Sequence, residues 1–168
     1  YAAVVVDLAH TSDDRADERQ LSLASALTAI RLRRRRHEVV TLERPAQGIV
    51  VVTERDHDAS AATDGQGRRQ TVAIAEMLRD AVGADDDGIR VGVSRPFTAL
   101  RDATRAVEDA VHAVGIGRRV SALPSIVRAD QLGVYALLDQ IPAERLREMI
   151  HPGVRVLLEQ GDRSAALV

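Results

Sequence analysis

Two short β-branched segments, HEVVTLE at residues 37–43 and GIVVVTE at 48–54, lie back to back, joined through RPAQG at 44–48. So short a connection leaves room only for a reversal. The two segments are expected to pair as an antiparallel hairpin with Pro45 and Gly48 in its loop. A hairpin set among βα units points away from plain helix–strand alternation. It implies an α+β sandwich, one sheet with its helices packed on one face.

The rest of the chain supplies the other elements. YAAVVVDL reads as a buried strand ending at Asp7. After the turn AHTSDD, residues from about 14 to 36 place Leu23, Ala24, Leu27 and Ile30 at helical spacing. The polar stretch RDHDASAATDGQG is expected to be a mobile loop. A second helix, over 68–83, carries Ile74, Ala75, Leu78 and Val82 on one face and ends at Gly83. ADDDG then turns into the strand IRVGVS. The third helix, over 98–114, has Leu100, Ala103, Val107, Ala110, Val111 and Val114 at three- and four-residue steps, and GIGRRV is expected to terminate it. SIVRADQLG is a last extended piece, and Pro142 in QIPAERLREMI suits the first turn of a helix in the tail. The order is β-α-β-β-α-β-α-β followed by helices.

Composition narrows the function classes. Aromatic residues are 2% of the 168 and Trp is absent, so the core is built of Val, Leu, Ile and Ala. With no Cys there is no disulfide, no thiolate catalyst and no Cys-based zinc or iron–sulfur site; a cytoplasmic location is expected. The net charge of −2 gives no general attraction to nucleic acid or acidic lipid. No apolar run is long enough for a membrane span and no signal peptide is evident. The chain opens inside a strand and stops at SAALV, which suggests a fragment of a longer protein.

Each candidate for chemistry has a plainer alternative. The run RLRRRR, 31–36, falls at a helix end, where cations meet the negative pole of the macrodipole, and no aromatic residue interleaves it for base stacking. DHD at 56–58, with Asp64 nearby, sits in a Gly/Ala/Ser-rich loop that does not make a rigid metal site. DDDG at 85–88 lacks the oxygen spacing of a calcium loop. His112 lies off the apolar stripe of its helix and is expected to be exposed. The strand–turn–helix junction at SRPF, 94–97, is where a phosphate cradle would sit, yet Pro96 removes an amide and Arg95, Phe97 and Thr98 add bulk. The expectation is a corner, with Phe97 plugging the core and Thr98 capping the helix. No catalytic residue, metal ligand or cofactor is assigned.

IRVGVSRPFTALRDATRAVEDAVHAV resembles the strand and helix in the central domain of PucR/CdaR-type bacterial transcription regulators. SIVRADQLGVYALLDQIP is similar to that family's strand, Asp and LG-Y-LL passage, and LLEQGDRSAALV to the segment leading to its C-terminal helix-turn-helix. The resemblance runs over the whole chain and is most specific in its second half. It implies a ferredoxin-like, GGDEF-like fold for residues 1–130 and a helical tail over 131–168 leading to a missing helix-turn-helix. It also implies that the nucleotide-cyclase motif belongs in the hairpin loop, where this chain has RPAQG and lacks both the glycine pair and the acidic pair. Asp7 matches the position of a cyclase metal aspartate, but a lone carboxylate does not hold two Mg²⁺ ions against a triphosphate.

The function these readings imply is a non-catalytic regulatory and dimerisation domain. It would relay a signal or small effector to a DNA-binding domain outside these residues, as a homodimer. Two rivals stay open. One is a degenerate nucleotide sensor whose arginines at 31–36, 68–69 and 118–119 converge on phosphates. The other is a divergent Mg-dependent cyclase using Asp7 with the DHD carboxylates.

Overall fold

The computed structural model describes residues 1–8, 16–33, 39–53, 64–83, 89–151 and 154. Its elements follow the order read from the sequence: β1 (Ala2–Asp7), α1 (Ala16–Arg33), β2 (Val39–Arg44), β3 (Gln47–Val52), α2 (Asp64–Gly83), β4 (Val91–Val93), α3 (Ala103–Arg119), β5 (Ile126–Arg128), α4 (Val134–Leu138) and α5 (Ala143–Met149). By contacts the chain divides into two compact units, Tyr1–Leu132 and Gly133–Val168. In the second, Pro142 stands at the N-cap of α5, just before its first turn, and its carbonyl accepts from Leu146 N at 3.0 Å.

The first unit is an α+β domain on one mixed sheet of order β2-β3-β1-β4-β5. β1 lies at the centre, antiparallel to β3 through Ala2↔Val52 to Asp7↔Gln47 and to β4 through Val4↔Val93. β5 adds in parallel at the β4 edge. The strands are short, yet Ala3, Val4, Val5 and Val6 are fully buried, because β1 has helices on both of its faces. Both-sided burial leaves no polar alternation in such a strand.

The two faces carry separate layers. Val4, Val6, Val50 and Val91 pack with Leu23 and Ile30 of α1 and with Ile74 and Leu78 of α2. Val5 and Ile49 point the other way and meet Ala110 and Val107 of α3. The expectation of helices on one face is therefore corrected: α1 and α2 share a face and α3 lies on the opposite one. The strands β3, β4 and β5 run parallel to one another, and α2 and α3 each step across in the same direction. On opposite faces the two connections have opposite hands, so only one follows the usual right-handed preference. With the first face occupied by two helices, the second had to be closed from the other side.

α3 closes it by close approach. A Cβ built on Gly92 would lie 2.0 Å from the Ala110 carbonyl oxygen, so only glycine lets the helix backbone settle on β4. Where the helix crosses β4 its buried residues are accordingly small, Ala106, Ala110 and Ala113, with Val114, Ile116 and Gly117 buried further along, while Leu100 and Val111, expected in the apolar face, are exposed. GIG does not terminate α3. The helix runs through it to Arg119, and a Cβ on Gly117 would fall 2.5 Å from Val127 Cγ2 of β5.

The hairpin forms as read, with one difference. Arg44 pairs with Gln47, leaving a two-residue turn of Pro45 and Ala46, and Gly48 sits within β3 against Leu23. Ala46 takes φ 57°, the left-handed region, which costs a residue with a Cβ about 1–2 kcal/mol.

Ala46→Gly should raise stability by about 0.5–1 kcal/mol in a denaturant melt, the relief of left-handed strain less the entropy glycine adds to the unfolded chain. Gly92→Ala should cost at least ~3 kcal/mol or abolish cooperative unfolding, because the obstacle is backbone rather than a movable side chain.

Candidate functional site

The site that the cyclase comparison selects is the sheet end where β1 finishes beside the β2–β3 turn. Asp7, the last residue of β1, faces Gln47 across the ladder. One residue on, Leu8 N donates to Ala46 O at 2.6 Å, tying the tip of the hairpin to the end of the central strand. The turn at this position is thus a clamped two-residue reversal, with Pro45 supplying no amide. Glu43, the carboxylate nearest the turn on β2, accepts from Gln20 Nε2 of α1 at 2.9 Å.

Asp7 is held by a cation from the other layer. Arg118, one residue before the end of α3, places Nη1 3.3 Å from Asp7 Oδ2 and donates from Nη2 to the Asp7 carbonyl. Both side chains are mostly buried, at 18% and 17% exposure, so the pair is shielded from bulk water. A guanidinium here supplies the positive charge that a divalent ion would bring, with directional donors in place of open coordination positions. Among the described residues no three of His, Asp and Glu come together in a metal-binding group. Asp64 has no described side chain, and DHD and DDDG lie outside the described residues.

The role of Arg118 as the partner of Asp7 was not anticipated. Its signal is the helical phase: position 118 follows buried Val114 by one turn and adjoins Gly117, which places it at the margin of the sheet-facing side.

Among the described residues, Arg31 and Arg33 do not converge with Arg118. Arg31 and Arg33 are exposed at the last turn of α1, which leads into Val39 at the Ala2 end of the sheet through Val52. Arg118 stands at the Asp7 end, about 17 Å away along β1 at ~3.3 Å per residue. Arg34–Arg36 lie outside the described residues, and so do the side chains of Arg68 and Arg69. His112 is exposed, as its position on the helix implies.

The SRPF junction is a bulge that ends the β1–β4 ladder. Ser94 N donates to Ala3 O at 2.8 Å, while Ala3 N donates to Ser94 Oγ at 2.9 Å, the hydroxyl taking the place of a main-chain acceptor. Pairing resumes as Phe97 N donates to Tyr1 O at 2.8 Å, three residues on against two in β1. The extra residue is the mark of a bulge, one of the few places in a sheet that accept proline. The amides of Ser94 and Phe97 are therefore committed to the carbonyls of Ala3 and Tyr1. Arg95 points outward and grips Asp109 with two bonds of 3.0 Å, a hydrogen bond first and a charge second that raise its pKa. Phe97 does not plug the core: it is half-buried and stacks on Tyr1 with ring centroids 5.5 Å apart. Thr98 does not cap the helix either. The chain enters α3 through a 3-10 turn at Leu100–Asp102, and neither Ala99 nor Asp102 makes a side-chain cap.

If Asp7 and Arg118 form one unit, a double-mutant cycle should show it. Arg118→Ala should destabilise by about 1–3 kcal/mol, and the Asp7→Ala/Arg118→Ala pair should fall short of the sum of the single losses by ~1 kcal/mol or more.

A family model described as GGDEF-like domain matches residues 1–116. No curated protein and no solved structure matches the chain. The matched span runs from β1 into α3 and includes the hairpin and the sheet end at Asp7. The chain belongs to the GGDEF-like domain family.

Proposed function

We propose that this is a non-catalytic regulatory domain of a PucR-family transcription regulator, which dimerises and relays a signal or small effector to a helix-turn-helix outside these residues. The observation that carries the reading is the Asp7–Arg118 pair. At the one position where the cyclase pattern leaves a metal-binding aspartate, the carboxylate is engaged by a guanidinium at 3.3 Å. A divalent ion would have to displace a shielded, hydrogen-bonded cation, and among the described residues no group of three His, Asp or Glu side chains gathers to hold it.

The tight turn supports the same reading. A loop that admits a guanine base needs glycines and room, and here Pro45 and Ala46 make a reversal fastened to Leu8. The PucR assignment itself rests on the resemblance of the second half of the chain. A homodimer is the geometry that suits a regulator reading two-fold operators. The separation of Arg31 and Arg33 from Arg118 weighs against the nucleotide-sensor alternative.

A thermal-shift titration with GTP and cyclic di-GMP, each with and without Mg²⁺, tests the proposal. No Mg²⁺-dependent nucleotide shift is expected. A bound ligand at a hundredfold its Kd would add about 2.7 kcal/mol, a displacement of several degrees. A nucleotide shift that requires Mg²⁺ would overturn the non-catalytic reading. A shift that does not require Mg²⁺ would identify an effector.

A further inference from the structure

α1 is apolar on more than one side. Leu23, Ala26, Leu27 and Ile30 face the sheet, while Leu21 and Leu32 stand 70% and 80% exposed on the outside. Beside Leu21 a groove of about 540 Å³ runs along the outer surface of the helix, floored by Ser22, Ser25 and Ala29. Glu18 closes one end of it and Arg33 the other, and Met77 and Ala81 of α2 form its far wall. Both charged residues are exposed, and neither has an ion-pair partner among the described residues.

We infer that this groove is the dimer surface and that its occupant is α1 of a second copy, packed antiparallel about a two-fold axis near Ser25 and Ala26. The inference rests on the dimer proposed above and names its interface. Charge decides the occupant. α1 is acidic in its first turn, at Asp17 and Glu18, and basic in its last, at Arg31 and Arg33. The sign reverses from end to end, so an antiparallel copy is complementary at both ends, whereas a partner of a single sign suits only one. Centring the axis between residues 25 and 26 sets Glu18 opposite Arg33 of the second copy and Ser22 opposite its Ala29. Antiparallel macrodipoles add to the match.

Size permits the approach. Serine and alanine at the crossing let two helix axes come to about 8 Å, the near limit for packed helices. At that spacing Leu21, otherwise in water, is covered by the neighbouring helix. The interface is isologous, so each contact occurs twice and each substitution counts twice.

Sedimentation equilibrium on the whole chain tests this with Glu18→Arg, Arg33→Glu and their equimolar mixture. The wild type should dimerise. Each variant alone should associate about tenfold more weakly or worse, because both ends of its interface then oppose like charges. The mixture should regain wild-type affinity, since a chain with Arg at both ends meets one with Glu at both. This rescue also shows that the variants fold. If both variants dimerise as tightly as the wild type, the interface lies elsewhere and the inference fails while the dimer stands. In that event Leu42→Arg, on the exposed side of β2, locates the alternative. A wild type that stays monomeric at every concentration overturns the dimer reading and this inference with it.

Discussion

The contact between Gly92 and the backbone of Ala110 governs the rest of the domain. It lets α3 rest directly on β4, and from that height the helix covers Val5 and Ile49 with nothing larger than alanine and valine. Eight residues further along, about 12 Å at helical rise, the same helix delivers Arg118 to the end of β1. A bulkier residue at position 92 would lift the helix and withdraw the guanidinium from Asp7. Packing in one layer and charge at one sheet end are thus a single geometric fact.

What the sequence discloses here is unequal. The hairpin and the element order are legible, because a short connection between β-branched runs admits one solution, and Leu23, Leu27, Ile30 and the α2 face of Ile74, Ala75, Leu78 and Val82 are buried as their spacing requires. The side of the sheet on which α3 lies is not legible from periodicity. A common hand for the two parallel connections would put α3 on the face of α2, and that preference yields to the need to cover Val5. The clue was the uninterrupted run Ala3–Val6, too apolar for a strand with one face in water. GIG misled for a related reason: glycine inside a helix weakens it in isolation, but here it permits contact with Val127, and tertiary packing outweighs propensity.

The candidate site was legible in position and not in state. Asp7 could be placed at the end of a strand beside the turn from the sequence alone. Its partner could not, since Arg118 is 111 residues away and only the register of α3 on the sheet brings the two together. Similarly, SRPF reads as a corner because proline spoils a phosphate cradle. The bulge that makes it one, with the Ser94 hydroxyl substituting for a carbonyl, requires knowing that β1 is the neighbour.

The sheet with its two unlike layers acts as a partition between compartments. Val4, Val6 and Val50 belong to one and Val5 and Ile49 to the other, and what they share is the backbone of β1 and β3, with β1 fixed by ladders on both sides. Changes of side-chain volume in one compartment reach the other by bending the backbone of the sheet, so distant substitutions on opposite faces act almost independently. A lineage can therefore redesign the helix pair on one side, along with whatever that pair recognises, while the layer that positions Arg118 is inherited unaltered.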